Sequence, residues 1–506
     1  MSASWDEWSL VGAPSAASPW GDWKLVCMPC TTGAKPKRKR RRGCAKAKPH
    51  GRGRNQSSHR MPWPQSPFYT LYNATAVSTW GERDFRLFKL KFGVSHEVYE
   101  TVVAMARTFP MDASQGRRRK HTPLWLRVLG VLEVLSSGCT FGRIEPLCGI
   151  SRRSFGDYFH AFCRCVAKER EQHIYMPAPG TPLFNQFLEE YSNIGFDGCI
   201  GSMDSTTVYW GASYSERFSH RISTKAPAAR RFNVTASHFG WVMNVHPSTP
   251  CAVNDKTICL SDVAANCARG AATAPQDYTV CQFTLLHADG STSVCTGLWI
   301  MVDGGYTAER CFPCAFGHYS DCGQHKVFSS RLGSTRKDIE CLFGRKKRRF
   351  AILRMGMTYA SKQAVDDVFY TCAVLNNIAV LRENVAGGVE WKDAKKFPAA
   401  IMADAAPPLP EPGAVVSPGD RMRHLRERLV ANICYKLQNN LAKWPVSERA
   451  RKVAEQRSAT LGSPAQQAYA YATGSECDSS DYEAGDDLAG DVFDDELFSS
   501  SDFDDY

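Results

Sequence analysis

The order of apolar and polar residues predicts a helical region followed by a region of strands and helices. Apolar positions at helical spacing mark an amphipathic helix over SHEVYETVVAMARTF, with Ser95 as its N-cap. A second helix is predicted from Pro123 to a stop at Gly138. From 197 to about 385, β-branched and aromatic runs such as CIGSMDSTTVYW come before long helical stretches. This order is typical of a mixed α/β layer domain.

Residues 139–170 have the pattern of two helices joined by a tight turn. The first helix is predicted to run from Arg143 to Cys148, with the turn at Gly149 and a second helix capped by Ser151. A helix-turn-helix presents the early residues of its second helix to DNA, which makes Arg152 and Arg153 candidate DNA-binding residues. A plain αα-hairpin of a helical bundle has the same pattern and stays open as the alternative.

Composition divides the rest of the chain, because both ends lack helical or strand periodicity and are rich in polar and charged residues. The predicted organisation is a disordered basic arm over 1–75, a helical domain with the helix-turn-helix over 76–170, a linker over 171–199, an α/β domain over 200–385, a second linker over 386–417, a charged helix over 418–460 and a disordered acidic tail over 461–506.

The formal net charge of +11 is distributed unevenly along the 506 residues. Residues 35–54 contain eleven Lys and Arg and no acid, whereas residues 471–506 contain thirteen Asp and Glu and no Lys or Arg. The remainder of the chain is still basic, which favours a polyanionic partner such as double-stranded DNA. A basic surface that only maintains solubility is the alternative.

The densest cationic block lies in the basic arm. Such a block is typical of a nuclear-import signal, a nucleic-acid contact, or both, with an inert solvated tail as the alternative. The nucleus is therefore the expected location. The residues assigned to nuclear import are Lys35, Lys37, Arg38, Lys39, Arg40, Arg41 and Arg42.

The chain has no run of eighteen apolar residues, and its first residues are polar and acidic where a signal peptide would be basic and then apolar. Neither a membrane partner nor secretion is expected. The twenty cysteines are scattered through apolar stretches, which predicts buried free thiols in a reducing compartment.

Two of the predicted strands end in an aspartate, Asp204 in GSMDSTTVYW and Asp303 in LWIMVDGGY. An acid at the point where a buried strand meets a turn is poorly explained by packing, because it needs a polar partner. Two such acids on neighbouring strands make an anionic pocket, and Mg²⁺ prefers carboxylate oxygen. Gly304 and Gly305 follow Asp303 and would let a phosphate approach the backbone closely.

Glu340 is the third candidate acid and lies one turn after Arg336 on a long predicted helix. Three acids can hold a pair of ions that activate a water or a 3′-hydroxyl. An ordinary surface pair of Arg336 and Glu340 is the alternative. Cations on this helix are candidate contacts to the DNA backbone. They are Arg336, Arg345, Lys346, Lys347, Arg348 and Arg349.

Four of these segments, in this order, resemble the PIF/Harbinger superfamily of eukaryotic cut-and-paste transposases, which is related to bacterial insertion-sequence transposases with an RNase H-like core. IEPLCGISRRSFGDYFHAF is similar to the family's helix-turn-helix, and GSMDSTTVYW and IMVDGGY are similar to its two aspartate strands. STRKDIECLFGRKKRRFAIL is similar to its glutamate helix, including the Arg before the acid and the Phe-Gly-Arg after it. The resemblance covers about 80–385.

The resemblance implies an α/β fold with an RNase H-like mixed sheet and flanking helices, preceded by a helical helix-turn-helix domain. It also implies a DDE-type nuclease over 200–385, with Asp204, Asp303 and Glu340 as catalytic ligands of two Mg²⁺ or Mn²⁺ ions. Asp255 matches a recurrent aspartate of the family and is the runner-up ligand. A separate Myb-like accessory protein is a further implied partner, and a homo-oligomer stays open.

The chain departs from the family pattern in two places. Ser205, Thr206 and Thr207 stand where the family usually has Gly-Thr-His, so this segment is expected to present substrate differently. The interval from Asp204 to Asp303 is long, and the excess is attributed to an insertion near 260–294.

The segment CFPCAFGHYSDCGQH contains a second candidate metal motif. Two Cys three positions apart, followed by a Cys and a His at the same separation, have ligand types that could close a tetrahedral zinc site. The loop between the two pairs is shorter than usual, which favours ordinary buried thiols. The four residues are Cys311, Cys314, Cys322 and His325.

Two functions remain open at this point. The first is a metal-dependent DNA endonuclease and transposase that hydrolyses phosphodiesters and transfers strands at transposon ends. The second is a domesticated nuclear factor that binds DNA or protein without catalysis and keeps the transposase fold. The presence of Asp204, Asp303 and Glu340 favours the first.

Overall fold

A computed structural model describes residues 61–110, 122–211, 228–306, 309–316, 322–385, 391–394 and 418–445. These residues belong to one compact unit that begins at Arg60. The cationic block at 35–42 and the acidic tail at 461–506 lie outside the described residues.

The first half of the described chain is helical, with short 3₁₀ turns at Trp63–Gln65 and Arg170–Gln172. Its helices are α1 (Pro67–Tyr72), α2 (Ala74–Val77), α3 (Glu82–Phe92), α4 (His96–Arg107), α5 (Leu124–Ser137), α6 (Phe141–Cys148), α7 (Arg152–Lys168) and α8 (Pro182–Ile194).

Capping residues define these helices as the sequence predicts. The Ser95 hydroxyl accepts a hydrogen bond from the Val98 amide at the start of α4. Gly138 and Gly149 end α5 and α6 in the left-handed conformation, with φ of 66° and 67°. The Ser151 hydroxyl caps α7. The predicted pair of helices around Gly149 is therefore confirmed as a local structure.

Strands and helices alternate in the second half. The strands are β1 (Cys199–Tyr209), β2 (Ala229–Ala236), β3 (Val242–Val245), β4 (Thr249–Pro250), β5 (Gln282–Leu286), β6 (Thr292–Thr296), β7 (Trp299–Met301), β8 (Trp391–Asp393) and β9 (Lys443–Pro445). The helices are α9 (Asp255–Cys259), α10 (Val263–Arg269), α11 (Gly323–Arg349), α12 (Ile352–Met355), α13 (Lys362–Val385) and α14 (Pro418–Gln438).

The central sheet is mixed, with the strand order β3-β2-β1-β7 and β4 paired to β2. The strands β1, β2 and β3 form an antiparallel series, and β7 lies parallel to β1 on its other side. The pairs β5–β6 and β8–β9 form separate two-stranded sheets. The predicted mixed α/β architecture with flanking helices is confirmed.

One hydrophobic core continues from the helical half into the central sheet. It includes Val102 of α4, Leu129 of α5, Phe159 of α7, Phe232 of β2 and Val374 of α13, all buried. The Phe232 and Phe369 rings stack with their centroids 3.8 Å apart, which fastens α13 to the sheet. The helices predicted as a domain over 76–170 thus share their core with the sheet.

The segment Lys362–Arg382 of α13 is long and apolar enough to span a membrane. However, 83% of its most apolar window is buried inside the protein, where it packs against α7 and the sheet. This segment is placed as a core helix of the fold.

The structure adds secondary structure to the expected organisation at three places. The predicted linker over 171–199 contains α8, because Thr181 caps it and Phe187 and Tyr191 bury its apolar face. The predicted insertion near 260–294 contains α10, which packs beside β3 and β7. The helix predicted over 418–460 ends at Gln438, and the chain then forms β9, which pairs with β8 inside the predicted linker over 386–417.

Candidate active site

The register of the central sheet places Asp204 and Asp303 at the same level of two neighbouring strands. Strands β1 and β7 are parallel, and Ser202 pairs with Met301. Each aspartate lies two residues beyond its member of this pair, so the two carboxylates lie beside each other. The parallel pairing, rather than proximity in sequence, creates the acidic pocket.

Asp204 does not end its strand, contrary to the sequence interpretation. It lies in the middle of β1, which continues to Tyr209. The extension forms because β1 pairs with β2 along its whole second half, from Asp204 opposite Val234 to Tyr209 opposite Ala229. Asp303 lies just beyond β7, as expected. Asp204 is therefore held within a strand ladder, whereas Asp303 follows the end of its strand.

Helix α11 supplies the third acid and an arginine that links it to the first. The Arg336 guanidinium donates to Oδ2 of Asp204 at 3.0 Å and to Oε1 of Glu340 at 2.5 Å. Asp204 and Arg336 are largely buried, whereas the Glu340 side chain is 47% exposed. The alternative of a simple surface pair is thereby replaced by a three-residue bridge from the helix to the sheet. Arg336, predicted to contact DNA, is engaged by these acids.

The pKa of Asp204 reflects its burial and the charges around it. Burial raises the pKa of Asp204 to about 6. The Ser205 amide and the Arg336 guanidinium act against this rise. Asp303 and Glu340 act with it, because a carboxylate is harder to ionise near other negative charges. The site is thus an acidic cluster that one arginine compensates only in part.

Asp255, at the start of α9, joins the same cluster. Its Oδ1 accepts hydrogen bonds from the Ser205 hydroxyl at 2.6 Å and from the Arg231 guanidinium at 3.2 Å. A Cβ placed on Gly305 would lie 2.9 Å from Oδ1 of Asp303 and 3.8 Å from Oδ2 of Asp255. Both carboxylates therefore reach the same small volume beside Gly305, where glycine leaves room.

A network of polar side chains beneath the acids orients them, and the sequence gives no sign of it. The Tyr306 hydroxyl donates to Oδ1 of Asn233 at 2.6 Å, while the Asn233 amide donates to Oδ2 of Asp262 at 2.8 Å. Asp262 is fully buried and also receives the Asn244 amide. Since Ser205 hydrogen-bonds to Asn233 as well as to Asp255, this network ties β1, β2 and α9 together.

Asp338 is a second residue that sequence reasoning missed. It lies two positions before Glu340 but points into the protein, where its carboxylate is almost completely buried. Oδ2 accepts hydrogen bonds from the Tyr191 and Ser202 hydroxyls at 2.8 and 2.9 Å and lies 3.2 Å from Nδ1 of His238. Burial raises the pKa of Asp338, and these partners oppose the rise. The contacts fix the rotation of α11 that directs Glu340 toward the acids.

The five cations after Glu340 do not share one surface. Arg345 and Arg348 are exposed, and Lys347 and Arg349 are half-buried. Lys346 is buried, with Nζ 4.2 Å from the centre of the Phe369 ring. Burial lowers the pKa of Lys346 to about 8. The prediction that Lys346 contacts DNA phosphate is therefore wrong for this structure, because its helix face packs against α13.

The two arginines at the start of α7 are placed as the sequence predicts. Arg152 and Arg153 are both exposed in the first turn of the helix. The Arg152 amide donates to the Glu145 carboxylate of α6 at 3.3 Å, which joins the two helices across the turn. Both guanidinium groups are thus available to an external ligand, and base recognition by them stays a prediction.

The four residues of the zinc motif do not form a group of metal ligands within the described part of the chain. Nε2 of His325 lies 2.8 Å from Oε2 of Glu427, and the His325 ring stacks on Phe316 with centroids 3.7 Å apart. Cys311 is buried, and Cys314 and Cys322 are half-buried; none of the three forms a disulfide with another described cysteine. The residues 317–321 between them lie outside the described part of the chain. The motif is not assembled as a zinc site in the part that is described.

Within the described ranges, no group of three or more His, Cys, Asp or Glu side chains is closed around one point in the manner of a metal site. In the acidic cluster, Arg336 lies between Asp204 and Glu340 and pairs with both. The donor chemistry still fits a hard divalent cation, because Asp204, Asp255 and Asp303 offer carboxylate oxygens on one edge of the sheet. Glu340 would join such a site only in exchange for its bond to Arg336.

Comparison with known proteins gives one match. Residues 173–386 match a family model described as plant transposon protein. The matched range contains the whole acidic cluster and α11, while α6 and α7 lie before it. It supports a transposase-related family for this part of the chain. No curated protein and no solved structure matches the chain.

Proposed function

We propose that the chain is a metal-dependent DNA endonuclease and transposase of the PIF/Harbinger type, which cuts and joins phosphodiester bonds at transposon ends. The observation that carries this proposal is the convergence of Asp204, Asp303 and Glu340 from two parallel strands and one helix. A structural salt bridge alone would need one acid for Arg336, whereas this cluster gathers several acids, one of which, Asp204, has its pKa raised mainly by burial.

The fold is compatible with an RNase H-like core. The sheet has three antiparallel strands, β3, β2 and β1, with β7 parallel to β1, and helices flank it. The transposon-protein match covers this same region. Both observations support the proposed class, and the acids supply the chemistry that distinguishes it from other mixed α/β folds.

Asp204, Asp303 and Glu340 would hold two Mg²⁺ or Mn²⁺ ions, with Asp255 as the runner-up ligand. When bound, such a pair supplies an activated nucleophile and stabilises the charge on the leaving oxygen. The chain's own residues arrange the donors: the β1–β2 ladder fixes Asp204, and Asp338 fixes the rotation of α11. Gly304 and Gly305 leave the space beside Asp303 open to a phosphate.

DNA contacts are assigned to two surfaces. Arg152 and Arg153 at the start of α7 would face base edges, and the exposed Arg345 and Arg348 of α11 would face phosphates. The cationic block at 35–42 would support DNA binding or nuclear entry. A Myb-like accessory protein and a homo-oligomer are the proposed protein partners, and the nucleus is the proposed location.

The second candidate function is a domesticated nuclear factor that binds DNA or protein without cutting. The ion pairs of Arg336 are the observation in favour of this factor, because they hold Asp204 and Glu340 in an arrangement that needs no metal ion. In this account the acidic cluster is structural, and replacing its carboxylates would change stability rather than catalysis.

Cleavage of DNA that carries the terminal sequences flanking the gene separates the two functions. The full chain is expected to nick this DNA with Mg²⁺, and Asp303→Asn and Glu340→Gln should each abolish nicking. Glu189→Gln is the matched control, since Glu189 is an exposed acid on α8. Nicking that persists in both site variants, or that is absent from a folded wild-type chain with its accessory protein present, would contradict the nuclease.

A further inference from the structure

A cavity of about 160 Å³ lies between β6 and α14. None of the acids of the candidate active site lines it. Half of its lining residues are basic, and they come from two separate segments of the chain. They are Arg310, Arg421, His424 and Arg428.

The helix α14 presents three of these side chains on one face. Arg421, His424 and Arg428 are three and four residues apart, which places them in successive turns on the same side of a helix. Arg428 is held toward the hairpin because its guanidinium donates to Oγ of Ser293 at 2.5 Å. This face therefore lines the cavity as a row of cations.

Arg310 closes the cavity from the opposite side. Its guanidinium donates to the Gly297 carbonyl at 2.8 Å and to the Thr296 carbonyl. Burial lowers the pKa of Arg310, and the charges of Arg428 and Arg421 lower it further. The guanidinium is thus fixed by backbone oxygens, which are neutral, near two groups of its own charge.

The carboxylates next to these cations in the sequence are engaged elsewhere. Glu309 pairs with Arg269 at 2.6 Å, Asp420 lies 3.7 Å from Arg423, and Glu427 pairs with His325 at 2.8 Å. Among the residues that the structure describes, no carboxylate forms an ion pair with the three arginines of the cavity. Like charges held this close without an acid between them are costly, unless an anion binds there.

We propose that this cavity, here called the arginine pocket, binds a phosphate group. Guanidinium groups match the geometry of phosphate oxygens and donate several hydrogen bonds at once. A volume of about 160 Å³ holds several water molecules, and a phosphate group can occupy the same space. The phosphate comes either from the DNA backbone or from a small free anion such as pyrophosphate.

The test compares Arg421→Gln with Arg423→Gln in the full chain. Arg421 lines the pocket, whereas Arg423 is an equally charged, exposed neighbour that pairs with Asp420. Affinity is measured for inorganic pyrophosphate and for a duplex, in the presence of EDTA so that no cleavage occurs. Arg421→Gln should weaken binding on the order of tenfold, as expected for loss of one charged hydrogen-bonding partner, and Arg423→Gln should not. The double variant Arg421→Gln with Arg428→Gln should weaken binding further.

The two probes distinguish the sources of the phosphate. Loss of duplex affinity, together with a salt dependence flattened by about one unit, identifies a backbone phosphate. Loss of pyrophosphate affinity alone identifies a small anion. The proposal is overturned if the folded double variant keeps its affinity for both probes. It is also overturned if Arg423→Gln loses as much affinity as Arg421→Gln. Binding of a DNA backbone phosphate rests on the proposed nuclease function, whereas binding of a small anion does not. Failure of the nuclease function itself would appear in the separate cleavage assay of the wild type and Asp303→Asn.

Discussion

The Arg336 guanidinium lies 3.0 Å from Oδ2 of Asp204, although the two residues are separated by 131 others in the chain. This contact joins helix α11 to the middle of strand β1, and the same guanidinium holds Glu340. One cationic side chain therefore occupies the centre of an acidic cluster. Any divalent cation that binds Asp204 and Glu340 must compete with it.

Replacing Arg336 should make the cluster more responsive to divalent cations. In Arg336→Gln the carboxylates of Asp204, Asp303 and Glu340 repel one another without a neighbouring positive charge. A bound divalent cation therefore stabilises the folded variant more than it stabilises the folded wild type. The rise in unfolding temperature caused by Mn²⁺ should be larger in Arg336→Gln than in the wild type. Arg336→Lys keeps the charge and should behave like the wild type. An equal or smaller rise in Arg336→Gln would show that Arg336 does not compete with cations.

Gly305 and Gly304 offer a matched pair of substitutions next to Asp303. A Cβ on Gly305 would lie 2.9 Å from the Asp303 carboxylate, whereas a Cβ on Gly304 meets nothing within 4 Å. Gly305→Ala should therefore displace Asp303 and lower the rate of DNA nicking on the order of a hundredfold, as a displacement of about 1 Å can. Gly304→Ala should retain most of the activity. Equal rates for the two variants would mean that Asp303 needs no defined position.

Asp338 should contribute to stability through its buried partners. Asp338→Ala removes the buried carboxylate that accepts hydrogen bonds from the Tyr191 and Ser202 hydroxyls and that lies 3.2 Å from Nδ1 of His238. The expected loss in the free energy of unfolding is about 3 kcal/mol, measured by urea denaturation. Lys337→Ala changes the exposed neighbour on the same helix and should cost little. If Asp338→Ala lowers the free energy of unfolding no more than Lys337→Ala does, then Asp338 does not hold α11 in place.

Lys346 should make stability depend on pH in the alkaline range. Its pKa is about 8 in the folded protein, below its ordinary value of 10.5, because the ammonium is buried. Between these values the unfolded chain binds more protons, so the free energy of unfolding rises with pH. Below pH 8 the buried charge costs about 3 kcal/mol.

Lys346→Met should therefore raise stability at pH 7 and flatten the rise between pH 8 and 10.5. Urea denaturation across this range measures both effects. Lys337→Met, on the exposed face of the same helix, should leave the pH dependence unchanged. A variant of Lys346 that is less stable at pH 7 than the wild type would show that its charge is compensated in the fold.

Local signals let the sequence predict helix boundaries. Ser95 and Ser151 cap helices through their own hydroxyls, and Gly138 and Gly149 end them because glycine adopts positive φ at low cost. These interactions span only a few residues. They can therefore be read from a single sequence.

The orientation of side chains depends on partners far along the chain. Asp204 lies within its strand because β2 pairs with the residues that follow it. Lys346 faces inward because Phe369 lies beneath it, although its neighbours in the sequence are all cations. Asp338 is directed inward by Tyr191 of α8. No periodicity within one segment records such contacts, so the sequence could not predict them.

The most direct test of the central claim is the number of Mn²⁺ ions bound per chain, measured by electron paramagnetic resonance in the presence of duplex DNA. The account predicts about two ions bound to the wild type, as in two-metal sites. It predicts loss of this binding in Asp204→Asn and in Asp303→Asn, with Glu189→Gln unchanged. Binding of Mn²⁺ that is absent from the wild type, or equal in the wild type and both aspartate variants, would contradict it.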